Sequence, residues 1–307
     1  MLREMMVRFP GIGCAWVDAA DVVRTEYLGV AEHTVFPAAS MSKFVTALCL
    51  MKLHEDGMID LDMPVNDRLK SWKLRTPEGL ESDATIRSVM RHTAGIIDGG
   101  DGFYGLDRVD GPVSLMDILE GRTVYNDRPA RAETPQGTAF EYSDAGYCVL
   151  QLLVEEVTGS AFAAAVREIV FAPLSLEHTG YDPPHPCPDL AGAGLWTTPV
   201  EMLMLGRAFL ESLHGRIGFL REETAREMAK PQAQFPWTGL GVFISGEDML
   251  MTQGWSEFGQ CMMKMDRRTG RISVVMTNRN TEMDQSESGV EWLTDRNLTE
   301  TLRRNNL

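Results

Sequence analysis

Ser40 and Lys43 stand three residues apart in FPAASMSKFVTALCLMKL, residues 36–53. On a helix that spacing puts both side chains on one face, where they can meet. If the face is dry, the ammonium loses solvation and its pKa falls, and the neutral amine can accept the serine proton. That is the chemistry of an activated nucleophile. Ser40 is the only serine in the chain that begins an S-x-x-K. Taken alone, the pair proves little and reads more readily as a helix cap and a lysine reaching for solvent.

Two further stretches carry polar groups where a site needs them. In GTAFEYSDAGYCVLQLLVEEVTG, Tyr142, Ser143 and Asp144 immediately precede a long apolar run. Ser143 or Asp144 suits a helix N-cap, and the Tyr142 hydroxyl suits a second proton carrier beside Ser40 and Lys43. In MLMTQGWSEFGQ a strand pattern reaches Gly254, where a missing Cβ lets a substrate lie along the strand edge. His92, in RHTAGI, reads as a hydrogen-bonded structural histidine. Gly100, Gly102 and Gly105 make a G-x-G-x-x-G with no strand before it, so IIDGGDGFYGLDRVDG is expected to be a loop at the site's rim, with Tyr104 or Phe103 touching substrate. No G-x-S-x-G exists, which removes the α/β-hydrolase elbow.

The elements that must hold these groups follow from periodicity. GIGCAWVDAADVVRTEYLGVA reads as two strands joined by the turn Asp18 to Asp21. The Ser40 segment then switches to helical period and is apolar nearly all round, so it belongs in the interior, with Gly57 as its C-terminal stop. Helices are expected at 86–93, 114–122, 147–159 and 200–215, strands at 238–245, 248–254, 260–266 and 270–278, and a last amphipathic helix at about 287–304. Strands at both ends with helices between them predict an α/β (α+β) fold. Its antiparallel sheet is built from the N- and C-terminal segments and flanked by helices, with a helical region inserted. The division expected is 1–60 with 190–307 as the α/β unit and 61–189 as the helical one, the active site lying at their interface. The methionines of the C-terminal half, Met202, Met204, Met249, Met251, Met262, Met263 and Met265, read as core.

Composition limits the function classes. At 307 residues and 44% hydrophobic the chain can bury a large core, and its net charge of −15 disfavours nucleic acid and anionic membranes. No segment approaches ~20 uninterrupted apolar residues. Five cysteines without a C-x-x-C pair read as reduced and mostly buried, and the six histidines form no metal-ligand pattern, so no metal or cofactor is expected. A soluble cytoplasmic protein with a small-molecule substrate is the expectation; the sequence sets no oligomeric state.

Taken in order, Ser40-x-x-Lys43, LRTPEGLESDATIRSVMRHTAGI, FEYSDAGYCVLQLLVEEVTG, AGLWTTPVEMLMLGRAFL and GWSEFGQ before VVMTN resemble the serine β-lactamase and penicillin-binding-protein superfamily. The likeness is strongest to its class C and esterase-type branch, over about Phe9 to Asn278. The resemblance implies a β-lactamase/transpeptidase-like fold and a serine hydrolase that forms an acyl-enzyme on a small ester, amide or peptide. It implies that Ser40 is the nucleophile, Lys43 its base and Tyr142 the proton shuttle, with the backbone N–H groups of Ser40 and Trp255 as the oxyanion hole. Substrate contacts are implied at Asp144, Thr252, Gln253 and Gly254. Two departures stand out. Thr252-Gln253-Gly254 lacks the cation usual in the third motif, which points away from carboxylate-bearing β-lactams. Asp144 replaces the usual asparagine and, if ionised beside Lys43, would raise that lysine's pKa. The alternatives are a non-catalytic binding protein of the same fold, or an acyltransferase.

Overall fold

The computed structural model describes residues 2–18, 20–99, 113–123, 126–181, 189–232, 234–279 and 283–304. Helix α1 (Leu2–Arg8) precedes strands β1 (Ile12–Val17) and β2 (Val23–Leu28), then the short β3 (Phe36–Pro37) and a single 3-10 turn, Ala39–Met41. Helix α2 (Ser42–Glu55) follows, and next come α3 (Ile86–Met90), α4 (Leu115–Leu119), α5 (Asp144–Thr158) and α6 (Phe162–Val166), the last continuing into one π-helical turn, Arg167–Phe171. The chain then forms β4 (Trp196–Thr197), α7 (Pro199–Leu213), α8 (Glu222–Met228), strands β5 (Phe243–Ser245), β6 (Met249–Ser256), β7 (Gly259–Asp266) and β8 (Ile272–Thr277), and helices α9 (Gln285–Ser288) and α10 (Val290–Arg304).

Among the described residues, six strands form one sheet in the order β2-β1-β8-β7-β6-β5. All five pairings are antiparallel, and β1 joins the C-terminal strands through β8, with Ala15 opposite Val274. The sheet built from both ends of the chain is therefore present, flanked by helices. Its middle strands are covered on both faces, which the period-2 alternation makes visible. Ile12, Cys14, Met262 and Val275 pack with Met5 and Phe9 and with Val290 and Leu293 of α10. Ala15, Met263, Met265, Val274 and Met276 point the other way, into the core that surrounds α2.

Helix α2 sits in that core with Ser42 through Met51 all buried. An element apolar on every side has no solvent face to offer, so it becomes the axis on which the other helices pack. It ends as expected: Gly57 has φ 72°, with its N–H on the His54 carbonyl and that of Met58 on the Leu53 carbonyl. The last helix begins earlier than expected and is broken at Gly289, whose φ is 96°. The helices α1, α6 and α8 were not foreseen, being short segments fixed by the surfaces they cover. The methionine stripe is largely core, with Met204 partly exposed. Cys14, Cys49, Cys148 and Cys261 are buried free thiols.

Candidate active site

Ser40 lies in the 3-10 turn that leads into α2. Its predecessor Ala39 has φ 44°, a left-handed value that costs an alanine strain. The turn is held from several directions. Ser42 Oγ donates to the Ala39 carbonyl at 2.6 Å and accepts the Leu195 N–H at 3.1 Å, while Ala38 N–H donates to the Leu195 carbonyl at 2.8 Å. One turn further, Thr46 Oγ1 donates to the Ala191 carbonyl at 2.7 Å. Segment 191–195 thus laces the start of α2 in place.

Lys43, 3% exposed, donates to Ser40 Oγ at 3.2 Å and to the Gly192 carbonyl at 2.8 Å, and it forms an ion pair with Asp144. Its Nζ also lies 4.7 Å from the Tyr142 ring centroid and 5.3 Å from that of Tyr147. Burial pulls the Lys43 pKa down, but the charge of Asp144 and the neighbouring Tyr142 outweigh it, and the net direction is upward. The ammonium is therefore the resting form, which is the consequence the sequence attaches to an ionised Asp144. Gly192 permits this packing: a Cβ there would stand 2.9 Å from Asp144 Oδ1 and 3.2 Å from Lys43 Nζ.

Tyr142 is partly exposed, and its hydroxyl interacts with Lys43 and Ser40. Burial raises its pKa and Lys43 lowers it, leaving the phenol neutral. Its ring stacks on His92 at 4.4 Å. The His92 Nδ1 accepts the Ser143 N–H at 3.1 Å, so that nitrogen carries no proton; burial first, and the Lys43 charge second, hold the His92 pKa well below its ordinary value. His92 is thus buried and hydrogen-bonded, as expected.

Ser143 is the N-cap of α5, with Oγ accepting the Gly146 N–H at 2.9 Å. A carboxylate from a distant loop completes the cap. Asp98 accepts from Ser143 Oγ at 2.7 Å, Asp144 N at 2.7 Å and Ala145 N at 3.0 Å. Burial and the nearby Asp144 charge raise the Asp98 pKa, while the N–H groups at the helix terminus oppose that rise. Neither Asp98 nor Gly192 was singled out from the sequence, because neither contact is local and no spacing rule links either to residues 142–144.

The third wall is strand β6. Its pairing with β5 covers only Met249 to Met251. Beyond that point its outer edge runs beside the Ser40 turn. A Cβ on Gly254 would collide with the Ala38 carbonyl and stand 2.7 Å from Cys261 Sγ and 3.0 Å from Ala39 Cβ. This corrects the expectation for Gly254: the glycine is required by the close approach of the turn, and the room it leaves is filled by protein. Thr252, buried, and Gln253, exposed, line a slot of about 20 Å³ together with Ser40, Lys43, His92 and Tyr142, closed by Thr238, Gly241 and Phe243. That space admits about one water-sized group. Trp255 follows on β6 with its side chain partly exposed. Tyr104 and the loop 100–112 lie outside the described residues.

The chain matches the Beta-lactamase family model over residues 1–295. It is 30% identical to Esterase EstB of Burkholderia gladioli over 49% of this chain and 39% of that one. It is also 30% identical to Penicillin-binding protein 4 of Amycolatopsis lactamdurans, over 50% and 37%. The chain thus spans less than half the length of these curated relatives. Among solved structures, the D-amino acid amidase of Ochrobactrum anthropi SV3 superposes with a TM-score of 0.77 over 97% of this chain and 98% of that one at 18% identity, a likeness of fold. With a lysine–serine pair at the head of a buried helix, a tyrosine at the cap of a second and a family match over almost all its length, the chain belongs to the β-lactamase family.

Proposed function

We propose that the protein is a serine hydrolase that forms an acyl-enzyme at Ser40 on a small neutral ester or amide. The observation that carries this reading is the contact of 3.2 Å between Lys43 Nζ and Ser40 Oγ, beside a β6 edge packed against the same turn. The names of relatives, an esterase, penicillin-binding proteins and a D-amino acid amidase, support a small ester or amide substrate.

In this reading Ser40 Oγ attacks the carbonyl carbon and its proton passes to Lys43 once that amine is free. The oxyanion is held by the backbone N–H groups of Ser40 and Trp255, where each donor is typically worth ~3 kcal/mol. Tyr142 hands a proton to the departing alcohol or amine and later takes one from the water that attacks the acyl-enzyme; the acid is released as Ser40 Oγ leaves and takes back its proton from Lys43. Because the resting Lys43 is protonated, the rate is limited by the fraction of free amine and rises with pH. Thr252 and Gln253 bring no positive charge, which favours neutral substrates over carboxylates.

Residues 1–60 with 190–307 are read as the α/β unit and 61–189 as the helical one, supported by a sheet drawn only from the two ends of the chain. A cytoplasmic location belongs to the same proposal, supported by four buried free thiols.

The test is a fluorophosphonate label together with turnover of a short-chain chromogenic ester. The wild type is expected to be labelled and active, and Ser40→Ala to lose labelling and at least ~1000-fold of its activity. A wild type that is neither labelled nor active, with Ser40→Ala indistinguishable from it, would leave the competing reading: a binding protein whose lysine is neutralised by Asp144.

A further inference from the structure

Four aromatic residues, Phe140, Phe235, Trp237 and Phe243, form a connected group that reaches the slot through Phe243. Their ring centroids lie 6.2 Å apart for Phe140 and Trp237, 6.3 Å for Phe140 and Phe235, 6.5 Å for Phe140 and Phe243, and 5.6 Å for Phe235 and Trp237. The group touches the site at two points. Phe243 lines the slot itself, and Phe140 packs edge-on against His92 at 5.7 Å, which in turn stacks on Tyr142. An unbroken series of rings therefore runs from the proposed proton shuttle to Trp237, which is 47% exposed.

The bland account is that these rings pack a loop closed, but the loop has its own fastenings. Ile244 N–H donates to the Trp237 carbonyl at 2.8 Å, Thr238 N–H to the Phe235 carbonyl at 3.1 Å, and Arg91 to Gln232 Oε1 at 2.6 Å. With the backbone held by these bonds, the Trp237 indole packs on Phe140 and Phe235 and still keeps about half its surface exposed. The charge pattern agrees. Among the described residues lining the slot the cation is Lys43, already engaged by Asp144, Gly192 and Ser40, which leaves none of them free for an anionic substituent. The slot is also too small for a side group, which must rest outside against the rings.

We propose that Phe140, Phe235, Trp237 and Phe243 form the specificity wall of the site, selecting esters or amides that carry an aromatic or branched apolar group next to the scissile bond. This rests on the reading of Ser40 as the acyl-accepting nucleophile. Aromatic rings offer a large rigid apolar face, and edge or offset contacts add to the area they bury.

The experiment compares ethyl acetate with ethyl phenylacetate and benzyl acetate by pH-stat, so that a ring is offered on either side of the bond. The wild type is expected to favour one ring-bearing ester by ~10-fold or more in kcat/KM. Trp237→Ala should bring that ratio close to one, chiefly through KM, and Trp237→Phe should keep most of it. Fluorophosphonate labelling separates the two readings. An enzyme labelled at Ser40 that shows no preference, or the same preference in Trp237→Ala, overturns the wall and leaves the hydrolase standing. An unlabelled protein overturns the hydrolase; the wall is then read by calorimetry with phenylacetamide, where Trp237-dependent binding supports it and no binding overturns it.

Discussion

Two buried lysines use the same device for different ends. Lys264, on β7, reaches Glu291 Oε1 at 2.9 Å and Asp295 Oδ1 at 2.8 Å, two acids one turn apart on α10. Lys43 is paired with Asp144 alone. For both, burial lowers the pKa and carboxylates more than restore it, so both stay protonated. The difference lies in what completes the shell. Around Lys264 the carboxylates face solvent and the result is a clamp between sheet and helix. Around Lys43 the remaining protons go to a backbone carbonyl and a serine hydroxyl at the slot, so Asp144 and Ser40, the proposed nucleophile, compete for one ammonium.

The largest expected effect breaks the pair at Lys43. In Asp144→Asn the buried amine loses its counter-charge, and desolvation, already the largest influence on it, drives its pKa down. Ester turnover at pH 7 should rise by ~10-fold, and the ascending limb of the pH–rate profile should move down by more than ~1 unit. Glu291→Gln, the matching change at Lys264, should move neither. A fall of more than ~100-fold in Asp144→Asn would instead make Asp144 part of the proton path.

A smaller effect tests the clamp. Lys264→Met leaves two half-exposed acids that water can solvate, so the loss should be ~1 kcal/mol, or roughly 2–4 °C in Tm, with kcat/KM unchanged within twofold. A drop beyond ~10 °C would show that β7 and α10 depend on the charge far more than its exposure suggests.

The smallest effect uses His92, a neighbour that Lys43 has and Lys264 lacks. His92 is neutral in the fold with its pKa below the usual value, so an unfolded chain binds a proton there first as pH falls. Its contribution is complete above about pH 6.5 and is lost on acidification towards the folded pKa. His92→Asn keeps an acceptor for the Ser143 N–H and tolerates the φ of 62°, so the drop in Tm between pH 7 and pH 5 should shrink by a few degrees. An unchanged acid slope would place the sensitivity elsewhere.

What was legible in the sequence was local. Ser40 and Lys43 declare themselves by a spacing of three, and Ser143 by its place before a helical run. The effect of Asp144 on Lys43 was readable as chemistry once the two were assumed close. The sheet could be inferred because strands at both ends carry the period of two. What stayed hidden was set by contacts across the fold: Asp98 on the cap of α5, the Gly192 carbonyl on Lys43, and the aromatic wall drawn from residues 140 and 235–243. Gly254 is the instructive intermediate, the right residue chosen for a reason that only the neighbouring turn corrects.

The place of β1 between β2 and β8 has a consequence in time. Ala15 pairs with Val274, so the first central strand waits for a partner about 260 residues later. At ribosomal speeds of ~5–20 residues per second that is a delay of roughly 13–50 s. Helix α2 and the Ser40 turn before it emerge long before β6 can flank them. The newborn chain therefore carries Ser40 without its neighbouring strand, and in the proposed mechanism competence arrives only when synthesis has nearly ended. A chain cut short before β8 would leave β1 with an unpaired apolar edge, the feature by which quality-control proteases and aggregation alike recognise an unfinished protein.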